Sequence, residues 1–269
     1  MERIKEAVKL AKLQRGAAVR PSAQPAAGAP QETPRQQLEA RVDVLQTDPN
    51  VLDTNRIIAA KSGSPQVASF DMLRTKVLQE MDRRGWQVLV VTSPTPACGK
   101  TVTSINLALS IARQAERFVF LVDLDLRKPR VIQYLGVKPR FGFVDAVSGA
   151  ASLEDAVFQI DIASSQLAII GNKKPSTAPT EAIVSRQMND IMQQLRNYEP
   201  KPIIIVDMPP VLGSDDVLAF LPQADCCILA VAEGISTLRE IESSEKLLAN
   251  TNLLGCVFTK STERTTAYY

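Results

Sequence analysis

The triplet of Gly99, Lys100 and Thr101 is the first combination of residues in this sequence suited to chemistry. It lies between an apolar run, 87–92, and a stretch with apolar residues at helical spacing. A strand, a glycine-containing loop and a helix start, in that order, collect backbone N–H groups around a phosphate. The lysine adds a full positive charge, and the threonine hydroxyl is a natural Mg²⁺ ligand. The residues predicted to contact a bound nucleotide are Ala97, Cys98, Gly99, Lys100, Thr101 and Val102.

This loop departs from the complete phosphate-loop pattern at one position. The pattern has a glycine five residues before Gly99, where this chain has Pro94. A chance Gly-Lys-Thr at the start of a helix is therefore the alternative interpretation. The predicted strand-to-helix turn around the triplet favours the phosphate loop.

Aspartates close two other apolar runs and offer the oxygen ligands that Mg²⁺ prefers. Asp123 and Asp125 stand two residues apart at the end of one run, with Arg127 two residues further on. Asp207 ends the run 203–207, directly before Met-Pro-Pro. Ligands of open α/β sheets bind beyond the carboxyl ends of the strands, so we predict a nucleotide–Mg²⁺ site at that edge. The alternative for Asp123 or Asp125 is that it only caps the next helix.

Six short and nearly continuous apolar runs predict the strands that position these residues. Because the runs do not alternate with polar residues, we expect strands buried on both faces in a parallel sheet. The predicted fold class is α/β, a P-loop NTPase-like three-layer fold with a mostly parallel central sheet covered by helices on both faces. The predicted strands are Gln87–Thr92, Phe118–Asp123, Leu167–Ile170, Pro202–Asp207, Cys226–Val231 and Leu253–Phe258.

The first 60 of the 269 residues differ in composition and predicted structure from the rest of the chain. Apolar residues at helical spacing predict a short helix over 1–16. Frequent prolines and alanines predict a linker over 17–60. Within that linker we expect another short helix around Leu38, Val42 and Leu45, outside the core.

The globular domain is predicted over residues 61–262. Its first helix should begin at Ser64 and Pro65, since serine is a good N-cap and proline is favoured at the first helical position. Residues 263–269 form a flexible tail that ends in two tyrosines.

The composition excludes several other classes of protein. A net charge of +2 argues against a dedicated nucleic-acid binder. The absence of histidine removes Ser-His-Asp and Cys-His hydrolases and most zinc enzymes. No apolar run approaches the ~20 residues of a membrane span, and we expect no secretory signal.

The four cysteines predict reduced thiols in a cytoplasmic protein, because their spacing fits no zinc motif. Cys226, Cys227 and Cys256 lie in apolar runs and should be buried. Cys98 stands beside a predicted helix N-terminus and Lys100, where a thiol is expected to be reactive. A redox-sensitive site is the hypothesis that follows.

Together these motifs resemble the bacterial tyrosine kinase family, the cytoplasmic kinases of the Wzc, CpsD and CapB type. The resemblance runs from about Ser64 to the C-terminus. ParA- and MinD-type ATPases share the fold but usually lack the Asp-x-Asp-x-Arg element. The matching elements are Pro96-Ala97-Cys98-Gly99-Lys100-Thr101, Asp123-x-Asp125-x-Arg127 and Asp207-x-x-Pro210.

The resemblance implies an ATP- and Mg²⁺-dependent protein-tyrosine kinase that autophosphorylates its C-terminal tyrosines and regulates capsule or exopolysaccharide synthesis or export. Lys100 would bind the phosphates, Asp123 would assist the attacking phenol, and Asp216 would lie near the site. The implied catalytic residues are Lys100, Asp123, Asp125, Arg127 and Asp207. The implied metal ligands are Thr101, Asp125 and Asp207. The implied phosphoacceptors are Tyr268 and Tyr269.

The resemblance also implies a separate membrane activator of the polysaccharide co-polymerase type, which would hold the chain at the inner face of the plasma membrane. It further implies a homo-oligomer and no nucleic-acid partner. The helix after Pro65 is similar to the family's assembly helix, Glu-x-x-Arg-x-x-Arg. Only Arg74 matches that pattern, because Ala68 and Asp71 occupy its first two positions.

Two alternative functions stay open, a ParA/MinD-like ATPase switch and a nucleotide-binding regulator without kinase activity. The regulator is an alternative because the phosphate loop is altered: the family usually has Pro-Gly-Glu-Gly-Lys, and this chain has Ala97 and Cys98 at the two middle positions. If Ala97 takes a left-handed backbone, the strain is about 1–2 kcal/mol. Thr259, before Lys260, stands where the family often has asparagine.

Overall fold

A sheet of eight strands organises the residues that the computed structural model describes, 42–59, 65–114, 117–162 and 166–262. Its order is β1-β4-β5-β3-β6-β2-β7-β8, and every neighbouring pair is parallel except β4 with β5. The mostly parallel sheet of the sequence analysis is confirmed. The strands are β1 (Asp43–Leu45), β2 (Val88–Thr92), β3 (Val119–Asp123), β4 (Phe158–Ile160), β5 (Leu167–Ile170), β6 (Ile203–Asp207), β7 (Cys226–Ala232) and β8 (Asn252–Thr259).

Helices connect the strands and cover the sheet on both faces. Alternate residues of β2 join two different core clusters: Leu89 packs in one with Met81, and Val90 packs in the other with Phe220. This division confirms the three-layer α/β fold. The helices are α1 (Pro49–Thr54), α2 (Pro65–Arg84), α3 (Lys100–Ala112), α4 (Val131–Leu135), α5 (Phe143–Val147), α6 (Leu153–Ala156), α7 (Pro179–Ile183), α8 (Arg186–Arg196), α9 (Asp216–Phe220) and α10 (Leu238–Leu247).

The central strands are buried at every position, as their continuous apolar runs predict. All residues of β2, β3, β6 and β7 are buried. The same prediction is wrong for β8, whose residues are all exposed or partly buried, with Phe258 61% exposed. The reason is its place in the sheet, since β8 is an edge strand with a neighbour on one side only.

Residues 42–59 differ from the linker helix that the sequence predicts there. Residues 43–45 form the strand β1, which pairs with β4, and the helix begins only at Pro49. Asp48 caps that helix by accepting a hydrogen bond from the N–H of Asn50 at 2.9 Å. The expectation of a segment outside the core is wrong because Leu52 and Ile57 are buried in the same cluster as α2 and α3.

Other predictions for the terminal segments lie outside the described residues. These are the helix over 1–16, most of the linker, and the tail 263–269 with Tyr268 and Tyr269. The predicted helix start at Pro65 is confirmed. Throughout the described ranges, none of the helices has the length and apolar character needed to span a bilayer.

Candidate nucleotide site

The predicted phosphate loop turns sharply between β2 and α3. Gly99 is the N-cap of α3 with φ +84°, and Ala97 has φ +64°. Left-handed residues in such a loop help to curve successive backbone N–H groups around an anion. The loop ends at a helix N-terminus, where the dipole adds positive potential. The predicted order of strand, loop and helix is confirmed.

Lys100 and Thr101 open α3 and contact carboxylates from two other segments. Lys100 Nζ lies 2.7 Å from Asp125 Oδ2 and 3.5 Å from Asp207 Oδ2. The Thr101 hydroxyl donates to Asp207 Oδ2 at 2.7 Å, and the Ser104 hydroxyl donates to Asp207 Oδ1 at 3.1 Å. The phosphate loop and the acidic strand ends therefore meet at one edge of the sheet.

Asp123 lies opposite Asp207 in the register of β3 and β6 and is completely buried. Its Oδ2 accepts hydrogen bonds from the N–H groups of Arg130 and Val131, each at 3.0 Å. Its Oδ1 accepts from the N–H of Asp125 at 3.2 Å. Asp123 therefore binds the start of α4, and together with Asp125 and Asp207 it forms the acidic cluster of the site.

Burial and mutual repulsion change the ionisation of this cluster. Burial, together with the charge of Asp207, raises the pKa of Asp123 to about 8. Burial also raises the pKa of Asp207, although Lys100 opposes that shift. For Lys100 itself, burial acts to lower the pKa, but the attraction of Asp207 and Asp125 outweighs it and raises the pKa. The lysine therefore stays protonated among the carboxylates.

Arg127 forms the bidentate contact with a carboxylate that its guanidinium favours. Its Nε lies 2.7 Å from Asp216 Oδ2, and its Nη2 lies 3.1 Å from Asp216 Oδ1. The Thr180 hydroxyl also donates to Asp216, at 2.6 Å. Burial acts to raise the pKa of Asp216, but the hydrogen bonds from Arg127 and its other partners outweigh this and lower it. The structure thus joins Arg127 to the aspartate that the resemblance places near the site.

The donor set of this edge fits Mg²⁺. The Thr101 hydroxyl and the carboxylates of Asp125 and Asp207 are hard oxygen ligands. Within the described ranges, no group of three or more His, Cys, Asp and Glu side chains is arranged to hold a metal. Mg²⁺ needs no such group when one or two carboxylates bind it together with nucleotide phosphates.

The cysteines only partly follow the prediction. Cys226 and Cys227 are buried in β7, and burial raises the pKa of Cys227 to about 12. Cys256 is exposed, because it lies on the edge strand β8, so its prediction as a core residue is wrong. Cys98 is fully buried with its Sγ 3.4 Å from Ser236 Oγ. The structure therefore does not support an accessible, reactive thiol at Cys98.

Two polar residues of the site escaped the sequence analysis. Ser104 follows Lys100 by four residues and so lies on the same face of α3. That spacing could have identified it as a residue of the site. Asn172 follows β5; its side chain donates to the carbonyl of Asp123 at 2.8 Å and accepts from the N–H of Val144 at 2.9 Å. No local pattern marks this asparagine, since its partners are 49 and 28 residues away in the chain.

Arg74, the residue of α2 that matches the assembly pattern, forms an ion pair and hydrogen bonds within the chain. Its Nη1 lies 2.8 Å from Asp71 Oδ1 and 3.1 Å from the Ser110 hydroxyl. Arg113 contacts the same carboxylate. The network joins α2 to α3, and it gives Arg74 a role in the fold.

Comparison with known proteins identifies relatives of the chain, although no protein-family model matches it. The chain is 31% identical over 177 residues to the tyrosine-protein kinase CpsD of Streptococcus pneumoniae serotype 4, covering 65% of this chain and 76% of CpsD. It is 32% identical over 196 residues to the EpsB protein of Ralstonia solanacearum, covering 72% of this chain. The chain spans only 26% of the length of EpsB.

Solved structures extend the comparison. The BceF tyrosine kinase domain has a TM-score of 0.66 and 26% identity, covering 84% of this chain and 97% of that domain. A Pyrococcus horikoshii MinD protein complexed with Mg-ADP has a TM-score of 0.54 and 22% identity, covering 64% of this chain and 69% of MinD. The likeness to MinD concerns the fold alone.

The left-handed backbone of Ala97 predicts that glycine is more stable at this position. Ala97→Gly removes about 1–2 kcal/mol of strain, and the greater freedom of the unfolded chain offsets about half of that gain. We expect the melting temperature, followed by circular dichroism, to rise by about 2 °C. Ala249→Gly is the matched control, because Ala249 is exposed without a positive φ and should lose stability. A loss of stability in both variants would contradict the prediction.

The raised pKa of Asp123 predicts an unusual pH dependence of stability without nucleotide and Mg²⁺. Between the unfolded value of about 4 and the folded value of about 8, only the folded state holds this proton. The free energy of unfolding should therefore fall as the pH rises from about 5 to about 7.5, by up to about 1.4 kcal/mol per pH unit. Urea denaturation at several pH values measures that slope. Asp123→Asn should flatten it, whereas Glu242→Gln at an exposed position of α10 should leave it unchanged.

Proposed function

The chain belongs to the bacterial tyrosine kinase family, and we propose that it is an ATP-dependent protein-tyrosine autokinase. We propose that its acceptors are Tyr268 and Tyr269 and that it regulates exopolysaccharide or capsule synthesis or export. One observation carries the proposal: a phosphate loop meets two acidic strand ends. There Lys100 lies 2.7 Å from Asp125, and Thr101 lies 2.7 Å from Asp207.

The residues of this edge suit phosphoryl transfer, which depends on positioning and charge more than on covalent chemistry. Lys100 would bind the phosphates, and Thr101, Asp125 and Asp207 would hold Mg²⁺. When bound with ATP, Mg²⁺ neutralises charge on the transferring phosphoryl group. Arg127, anchored by its ion pair, would orient a phosphate or a carboxylate near the reacting group.

Deprotonation of the tyrosine needs a base, and the chain has no histidine. Asp123 is the proposed acceptor, because its pKa of about 8 is closer to the pKa of a phenol than that of an ordinary carboxyl group. With Mg²⁺ held by Asp125 and Asp207, Asp123 would lose the proton that it otherwise carries at neutral pH, so that its carboxylate is free to accept one. Its carboxylate is fully buried against backbone N–H groups. The proposed role therefore requires that residues 123–131 shift to present an oxygen to the phenol.

The end of the described chain supports a C-terminal acceptor. Thr259 closes β8 with its hydroxyl 2.8 Å from the carbonyl of Cys98 in the phosphate loop. Tyr268 follows Thr262, the last described residue, by six positions, which span at most about 22 Å when extended. A tail of this length that starts beside the phosphate loop is within reach of a phosphoryl donor there.

We propose further that a separate membrane protein of the polysaccharide co-polymerase type activates the chain and holds it at the inner face of the plasma membrane. The proposal rests on membership of the family. Assembly into a homo-oligomer belongs to the same proposal.

Autophosphorylation of the purified chain tests the proposed reaction. With ATP and Mg²⁺ we expect phosphotyrosine on the C-terminal peptide, mapped by mass spectrometry. Tyr268→Phe combined with Tyr269→Phe should abolish the signal, and Lys100→Met should reduce it at least about a hundredfold. Tyr134→Phe is the matched control, because Tyr134 lies on α4 and should leave the signal intact.

A melting curve of Lys100→Met must accompany this assay, because the variant leaves Asp125 and Asp207 without their cation. ATP hydrolysis that persists in the double phenylalanine variant, with no phosphotyrosine in the wild type, would instead favour the MinD-like switch. Nucleotide binding without ATP hydrolysis and without phosphotyrosine formation would favour the regulator without kinase activity.

An activating partner predicts a low basal rate. Addition of the cytoplasmic segment of a polysaccharide co-polymerase, the proposed partner, should raise phosphotyrosine formation at least about tenfold at constant ATP. The tail double variant measures background in the same assay. Full activity of the isolated chain, with no response to that segment, would contradict the proposed partner.

A further inference from the structure

A threonine at the end of the edge strand reaches the backbone of the phosphate loop. Thr259 Oγ1 lies 2.8 Å from the carbonyl oxygen of Cys98 and 3.3 Å from that of Val231. Its side chain also packs against the glycine of the loop, because a Cβ on Gly99 would stand 3.3 Å from Thr259 Oγ1. The contact joins residues 161 positions apart in the chain.

A second contact holds Cys98 through its side chain. The Cys98 Sγ lies 3.4 Å from Ser236 Oγ, and that hydroxyl accepts a hydrogen bond from the N–H of Ala232 at 3.1 Å. Ser236 is thereby fixed to the end of β7. Cys98 is consequently held by both its carbonyl and its thiol, and its side chain is fully buried.

The direction of the Cys98 carbonyl determines the direction of the next backbone N–H. In a trans peptide the carbonyl and the following N–H point in opposite directions. Because Thr259 holds the Cys98 carbonyl on the side of β8, the N–H of Gly99 points away from that strand. Backbone N–H groups of such a loop are the ones that bind the phosphates.

We propose that Thr259 is a positioning residue for nucleotide binding, whose hydroxyl keeps the Cys98–Gly99 peptide oriented toward the nucleotide phosphates. The inference rests on the proposed function in one respect, that the bound anion is a nucleotide. Thr259 also stands three residues before Thr262, whose N–H donates to Glu233 at 2.6 Å. The phosphate loop and the start of the tail are therefore both fastened at the adjoining ends of β7 and β8.

The test uses the buried thiol as a reporter of the loop. Thr259→Val keeps the shape of the side chain and removes the donor, whereas Thr259→Ser keeps the donor. In a Cys256→Ser background, which removes the exposed thiol, we expect Thr259→Val to be alkylated at Cys98 about tenfold faster, with serine close to wild type. The affinity for Mg-ADP, measured by calorimetry, should fall about fivefold in the valine variant only.

Two outcomes would overturn the proposal. One is an equal Mg-ADP affinity in all three proteins, whether or not the labelling of Cys98 changes. The other is labelling of Cys226 and Cys227 at the same rate as Cys98, because Thr259 would then stabilise the whole fold and not the loop. Labelling needs no nucleotide, so a wild type that fails to bind Mg-ADP would refute the proposed function while the thiol still tests the position of the loop.

Discussion

The candidate site depends on the ion pairs of one buried ammonium group, that of Lys100. Lys100 is 9% exposed, and it lies within 3.5 Å of both Asp125 and Asp207. Removing a charge from water is costly unless partners replace the lost hydration, so the lysine requires its carboxylates in fixed positions. The sheet order provides them, because β6 lies between β2 and β3. The loop after β2 therefore faces the acidic end of its neighbour β6 and that of β3, the next strand along.

The acidic cluster also links the nucleotide edge to the helix that follows it. Asp123 accepts hydrogen bonds from the first N–H groups of α4, and Asp125 accepts one from the N–H of Lys128 at 3.1 Å. Capping a helix and lining the site were alternatives in the sequence, but here the carboxylate of Asp123 does both. A proton on Asp123 lowers the repulsion among three carboxylates that share one lysine. The ionisation of the site and the stability of the chain after β3 are thus coupled.

Strong local patterns predicted most of the fold and the residues that meet at the candidate site. Continuous apolar runs identified six strands, because strands covered on both faces leave no polar positions. The three-residue strands β1 and β4 escaped, since so short a run carries no period. Exposure of β8 could not be predicted, because the run alone does not tell an edge strand from a central one. The bond from Thr259 to Cys98 depends on tertiary structure and has no local signal.

The two edge strands, β1 and β8, place the two ends of the described chain far apart. β1 and β8 are separated by seven strand spacings, about 34 Å. The polypeptide preceding residue 42 joins the sheet at one flank, and the polypeptide following residue 262 departs from the other, two strands from β2. An anchor on the N-terminal flank would restrain the body of the protein without constraining the C-terminal peptide. The points where the described chain enters and leaves the sheet thus lie at its opposite edges.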